Sequence, residues 1–94
     1  MFIPLYTLWP GQRVDRYGST QGTFAAEYGT AYRARALKPG SDNLPYRTYE
    51  VTRPVEVTSG LVKPWFGYEG KGMQYKFDES INSLLKNGTL RPKQ

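Results

Sequence analysis

The stretch Tyr46 to Thr58, YRTYEVTRPVEVT, alternates with period two. Arg47, Tyr49, Val51, Arg53, Val55 and Val57 fall on one face, and Thr48, Glu50, Thr52, Glu56 and Thr58 on the other. This is the spacing at which successive side chains of a β-strand point to opposite sides. Pro54 has no backbone N–H to give to a ladder, so it either bends this strand or divides it in two. An arginine on an otherwise apolar face must reach a rim or meet an anion, because an unpaired buried charge is costly.

Strand signals continue outward in both directions. Gln12 to Tyr17 alternates with Val14 and Arg16 on one face, and Gly18-Ser19 ends it. Gln21 to Phe24 suggests a turn into a short strand, Tyr28 to Leu37 has mixed periodicity that fits a helical turn or an irregular loop, and Lys38 to Pro45 is a loop rich in turn formers. Downstream, Leu61 to Gly72 is a loop punctuated by Pro and Gly that carries Trp65 and Phe66. Met73 to Phe77 then reads as a strand with Met73, Tyr75 and Phe77 inward and Gln74 and Lys76 opposite. The last element expected is a short helix: Asp78 or Ser80 caps it, Ile81, Leu84 and Leu85 form its apolar stripe, and Gly88 stops it. Met1 to Pro10 is apolar but has no basic leader and contains two prolines; it is too short for a signal core or a membrane span and reads as the first strand or a packing arm.

Ten Gly and seven Pro spread along 94 residues suit many short strands joined by turns rather than a helix bundle. The expected fold class is α+β, a small and mainly antiparallel sheet with short helices, including one at the C-terminus. Residues 1–94 fit one domain, whose modest core draws on eight Tyr, four Phe and two Trp.

The chain contains no histidine and no cysteine. That excludes Ser-His-Asp and Cys-His catalysis, a thiol nucleophile, a disulfide framework and most transition-metal sites, and no metal site is expected. The net charge of +5 favours an anionic ligand or partner. Its distribution is uneven: Arg13, Arg16, Arg33, Arg35, Arg47 and Arg53 lie in the first half, whereas five of six lysines follow residue 60. Arginine grips phosphate oxygens two at a time, so the first half reads as an anion-binding half or, alternatively, as a solvated basic face. Arg16 and Arg35 can also pair with Asp15, Glu27 or Glu50, and Phe24 fits either a core or a stacking role. The glycine-rich run Gly67 to Gly72 enters a strand rather than a helix, so it is a weak phosphate cradle and a plausible long turn.

Six segments in order nevertheless resemble one family across nearly the whole chain: Arg13-Val14-Asp15-Arg16-Tyr17-Gly18, Gly22-Thr23-Phe24, Arg35-Ala36-Leu37-Lys38-Pro39-Gly40, Pro45 to Val51, Pro64-Trp65-Phe66-Gly67 and Gly72-Met73-Gln74-Tyr75. The sequence is similar to the tuberculosis necrotizing toxin domain family, whose members are NAD glycohydrolases. The resemblance implies that Arg16 and Arg35 hold the substrate pyrophosphate or neighbouring groups, that Phe24 stacks, and that Gln74 acts catalytically at the nicotinamide ribose. Arg47 falls at a second catalytic position. Family members can carry tyrosine where this chain has Phe24, and histidine where it has Arg47. The resemblance further implies NAD+ or NADP+ as substrate with no separate cofactor, a cognate immunity protein, and no nucleic-acid or membrane partner. It also implies that the domain is the C-terminal toxin part of a larger precursor, secreted or delivered to act in a target cell's cytoplasm.

That chemistry suits a chain without histidine. The nicotinamide of NAD is a cationic pyridinium that departs as a neutral ring and needs no proton, unlike the leaving group of an ordinary glycoside. Positioning and electrostatics carry most of the task. Glu50 or Glu69 is open as an acid that stabilises the ribosyl cation. Two other readings stand beside this one: a histidine-free ribonuclease toxin with arginines on RNA phosphates, and a non-catalytic basic module that stacks nucleic-acid bases on Trp65 and Tyr68.

Overall fold

A computed structural model describes residues 2–93. It contains one antiparallel sheet and one α-helix. The strands are β1 (Phe2–Leu8), β2 (Arg13–Tyr17), β3 (Phe24–Glu27), β4 (Tyr46–Val51), β5 (Val55–Leu61), β6 (Met73–Lys76) and β7 (Leu90–Lys93), with α1 (Ile81–Lys86) between the last two. Short 3-10 turns at Tyr32–Arg35 and Ser41–Asn43 lie between β3 and β4. Met1 lies outside the described residues; the rest of the expected N-terminal segment supplies β1 as far as Leu8.

Pro54 divides the alternating stretch rather than bending it. β4 and β5 are four places apart in the sheet order β1-β5-β6-β3-β2-β4-β7, a span of roughly 19 Å in a flat sheet. The chain from Val51 to Val55 reaches at most about 14 Å. The sheet therefore has to curl, and the curl closes a core. Val57 and Leu8 from one side cluster with Val51, Tyr49 and Leu90 from the other, around Val14, Ala25, Tyr75 and Phe77. The helix fills this inner face with Ile81 and Leu84, at 0% and 2% exposure. Burying each is worth about 1.5–3 kcal/mol.

Ser80 is the helix cap: its hydroxyl accepts the backbone N–H of Ser83 at 3.1 Å. The far end is closed by Gly88 at φ +80 and by Arg53, whose guanidinium donates to the Asn87 carbonyl. Arg53 thus meets a helix C-terminus, where a cation is favoured.

The helix is not the final element. It is followed by β7, which pairs with β4 from Thr48↔Lys93 to Val51↔Leu90. Pro92 conceals this strand in the sequence, yet a proline is compatible with an edge strand whose N–H faces away from the ladder.

Candidate active site

The outer face of the sheet carries a row of residues in register, one from each strand but β1: Gly60, Gln74, Ala26, Asp15, Thr48 and Lys93. Gln74 stands between the two smallest members, Ala26 on β3 and Gly60 on β5. Gln74 is half-buried, and among the described residues its amide makes no hydrogen bond to protein. Its alternation partner Tyr75 is buried in the core, which fixes the strand and aims Gln74 outward.

Two places along the row, Asp15 is fully buried and Arg35 nearly so, at 0% and 7% exposure. Arg35 Nη2 lies 2.7 Å from Asp15 Oδ1. The contact is ionic rather than an aligned hydrogen bond, because Arg35 directs Nε–H and Nη2–H at the Thr30 carbonyl, at 3.1 and 2.8 Å. Asp15 Oδ2 accepts the Gly29 N–H at 3.0 Å and the Tyr46 hydroxyl at 2.6 Å. Burial, and then the bond to Asp15, push the Tyr46 phenol up to about 12. The Arg35 guanidinium also lies over the Tyr17 and Tyr46 rings, 5.1 and 5.9 Å from their centroids. The turn that presents it ends at Ala36 in the left-handed region, φ 45, and is tied to the sheet by the Gly72 N–H donated to the Ala34 carbonyl. A Cβ at Gly72 would sit 2.8 Å from that carbonyl oxygen. Glycine is required there by the close approach of two backbones.

Arg16 alternates with Asp15 and emerges under the loop between β2 and β3. Its Nε donates to the Ser19 carbonyl at 2.7 Å and its Nη1 to the Phe24 carbonyl at 2.9 Å. The loop closes on the guanidinium so tightly that a Cβ at Gly22 would lie 2.1 Å from Nη2. Desolvation lowers the Arg16 pKa, but an arginine stays cationic at neutral pH. Two donors are thereby spent on the loop, leaving Nη2 unengaged among the described residues.

Gln74, Arg16, Arg35 and Phe24 all line one cleft, floored by Ala25, Ala26 and Met73. Its enclosed part is small, about 60 Å3, and it opens into a wider groove of about 850 Å3 that shares Arg16, Phe24, Arg35 and Gln74; only the wider groove is within the range of small-molecule sites. Phe24 is 42% exposed, so it presents a ring face to the cleft and is not core. Four of the five residues expected at the site are brought together.

Arg47 is not among them. It pairs in register with Arg16, but its side chain lines a separate groove with Thr20, Leu85 and Lys93. Neither acid considered in the sequence lines the cleft: Glu50 takes the Arg91 Nη2 at 2.7 Å at the far edge, and that bond holds its carboxyl below the usual range. Asp15, considered in the sequence as an ion-pair partner of Arg16 or Arg35, does pair with Arg35 and is the carboxylate that lines the cleft. Its signal was present in β2, where a lone acid alternates with Val14 and Arg16. Among the described residues no group of three or more His, Cys, Asp or Glu is placed to hold a metal ion, and no described helix is long and apolar enough to cross a membrane.

Residues 7–92 match the protein family described as tuberculosis necrotizing toxin. The chain belongs to that family. Among curated proteins, this family member is similar to the conidial surface nicotinamide adenine dinucleotide glycohydrolase of Aspergillus fumigatus, at 36% identity over 90% of the chain and 39% of that protein. Among solved structures, it superposes on tuberculosis necrotizing toxin complexed with its immunity factor, with TM-score 0.78 and 21% identity over 94% of the chain and 55% of that one. It also superposes on Rhs1-CT in complex with its cognate immunity protein, with TM-score 0.70 and 19% identity over 99% of the chain and 77% of that one. The small antiparallel sheet with a short helix near its C-terminus is therefore the fold of the toxin family. The chain spans about two-fifths of the length of the curated relative.

Proposed function

We propose that this chain is an NAD(P)+ glycohydrolase toxin domain that cleaves the nicotinamide–ribose bond, releasing nicotinamide and ADP-ribose (or its 2′-phosphate). The observation that carries the reading is the free Gln74 amide between Ala26 and Gly60, with Arg16 and Arg35 at hand in the same cleft. The glycohydrolase activity named for the Aspergillus relative supports it.

As the C1′–N bond breaks, its electron pair returns to the pyridinium nitrogen and the ring leaves neutral. Charge then builds on C1′ and the ring oxygen of the ribose. Gln74, with one acceptor and two donor sites, orients the ribose hydroxyls or the incoming water. Water oxygen bonds to C1′ and its proton passes to solvent. Arg16 Nη2 and the unengaged edge of Arg35 hold the pyrophosphate, Phe24 stacks, and the apolar floor receives the departing ring. The buried Asp15 neutralises Arg35 and fixes its plane, so the cation is preorganised rather than mobile. Every group needed is a side chain this chain possesses.

Micromolar domain incubated with NAD+ yields nicotinamide and ADP-ribose in equal amounts. Intact NAD+ beside a competent control enzyme defeats the reading, and degraded tRNA in a parallel tube favours a ribonuclease instead. Because free NAD hydrolysis kills a producing cell, we further propose a cognate protein inhibitor and delivery, as part of a larger precursor, into the cytoplasm of a target cell. Immunity proteins bound to the two structural neighbours support the first of these.

A further inference from the structure

The cleft opens into an outer part that shares Arg16, Phe24, Arg35 and Gln74 with the inner one and adds Lys38, Lys63 and Trp65. The inner part adds the apolar Ala25, Ala26 and Met73 to these shared residues. The outer part has a different chemistry. Lys38 and Lys63 make no salt bridge among the described residues, and no Asp or Glu lines this part. Trp65 is 65% exposed, and its ring stacks on Phe66 at a centroid distance of 4.1 Å.

Both lysines stand on fixed backbone. The Lys38 carbonyl accepts the buried Ser41 hydroxyl at 2.7 Å. The Lys63 carbonyl packs so closely on Gly70 that a Cβ there would lie 2.8 Å from its oxygen. Two uncompensated cations held beside an exposed indole suit a planar base bearing a nearby phosphate.

Resting on the glycohydrolase reading above, we propose that the outer cleft is the adenosine-end subsite, in which Trp65 stacks the adenine and Lys38 and Lys63 bind a phosphate on the adenosine ribose. These lysines are then the residues that set preference between NADP+ and NAD+.

The test compares kcat/KM for NADP+ and NAD+ in the wild type and in Lys38→Ala/Lys63→Ala. The NADP+:NAD+ ratio is expected to fall about 5- to 10-fold in the double variant, the scale of two solvent-screened charge contacts. In the wild type the ratio also falls as salt rises, whereas in the double variant it does not. Competition against NAD+ supplies a second readout: 2′-phosphoadenosine inhibits the wild type more strongly than adenosine does, and the double variant abolishes that advantage. A ratio unchanged by the substitutions, with NAD+ still consumed, overturns the lysine assignment alone. Failure of the wild type to consume either dinucleotide overturns the glycohydrolase reading and this inference with it.

Discussion

Arg35 Nη2 and Asp15 Oδ1 lie 2.7 Å apart beneath the cleft, both almost removed from solvent. Asp15 is also the acceptor for Gly29 and Tyr46, so one carboxylate ties β2, the turn after β3 and β4 to the guanidinium. Removing one partner of such a buried pair leaves an uncompensated charge. Asp15→Ala is therefore expected to cost about 3–5 kcal/mol in urea unfolding. Asp15→Asn keeps an acceptor oxygen for Gly29 or Tyr46 and costs less. Equal losses for the two substitutions would show that the bonds to Gly29 and Tyr46 add nothing, and a negligible loss for Asp15→Asn would show that the charge is irrelevant.

The Tyr46 bond predicts an alkaline limit. Its phenol is pushed up to about 12 in the folded chain, against about 10 when unfolded. The folded state holds this proton more tightly, so the stabilisation is complete below pH ~10 and is lost as pH rises through about 12. Tyr75, raised to about 12 by burial, adds to the same window. Tyrosinate absorbance should show late ionisation, and Tyr46→Phe should remove one late step and flatten the fall in stability. Identical curves for the two proteins would contradict the Asp15 contact.

Two glycines should behave differently. Gly72→Ala drives a Cβ against the Ala34 carbonyl, which is backbone, and is expected to cost about 1–3 kcal/mol of stability. Gly22→Ala meets only the end of Arg16. The arginine can swing away at the expense of its bonds to Ser19 and Phe24, so KM for NAD+ should rise more than the midpoint of unfolding shifts. The reverse ranking would mean that Arg16 is not held as described.

Arg47 and Arg16 face one another across β2 and β4, yet only Arg16 reaches the cleft. Arg47→Ala is expected to change kcat/KM for NAD+ by less than about threefold, the scale of a remote charge. Arg16→Lys should lose far more, because lysine cannot reproduce the fork that meets both carbonyls and the substrate. A large defect in the Arg47 variant would return that residue to the chemistry.

Much of this was legible in the chain. Alternation placed Tyr75 and Phe77 inward with Gln74 opposite, and Ser80, Leu84 and Gly88 marked the helix. The order of strands was not legible, because nothing local reveals that the two halves of Tyr46 to Thr58 end four strands apart; only the curled sheet joins them. β7 was hidden by Pro92, which signals a break unless the strand is known to be an edge. At the site, Gln74, Phe24, Arg16 and Arg35 came from motif order. Alternation does not separate Arg47 from Arg16, which share a face, nor bring Asp15 and Arg16 together; the loop that closes on the Arg16 guanidinium and the turn that carries Arg35 to Asp15 do so, and both are tertiary contacts.

The central claim is that the Gln74 amide acts on the ribose whose bond breaks. It is tested most directly by measuring nicotinamide release from saturating NAD+ by Gln74→Ala beside the wild type, with matched unfolding curves. The account predicts a loss in kcat of about 100-fold or more, the scale of removing one preorganised polar group from a transition state. A Gln74→Ala protein that releases nicotinamide at the wild-type rate would contradict it.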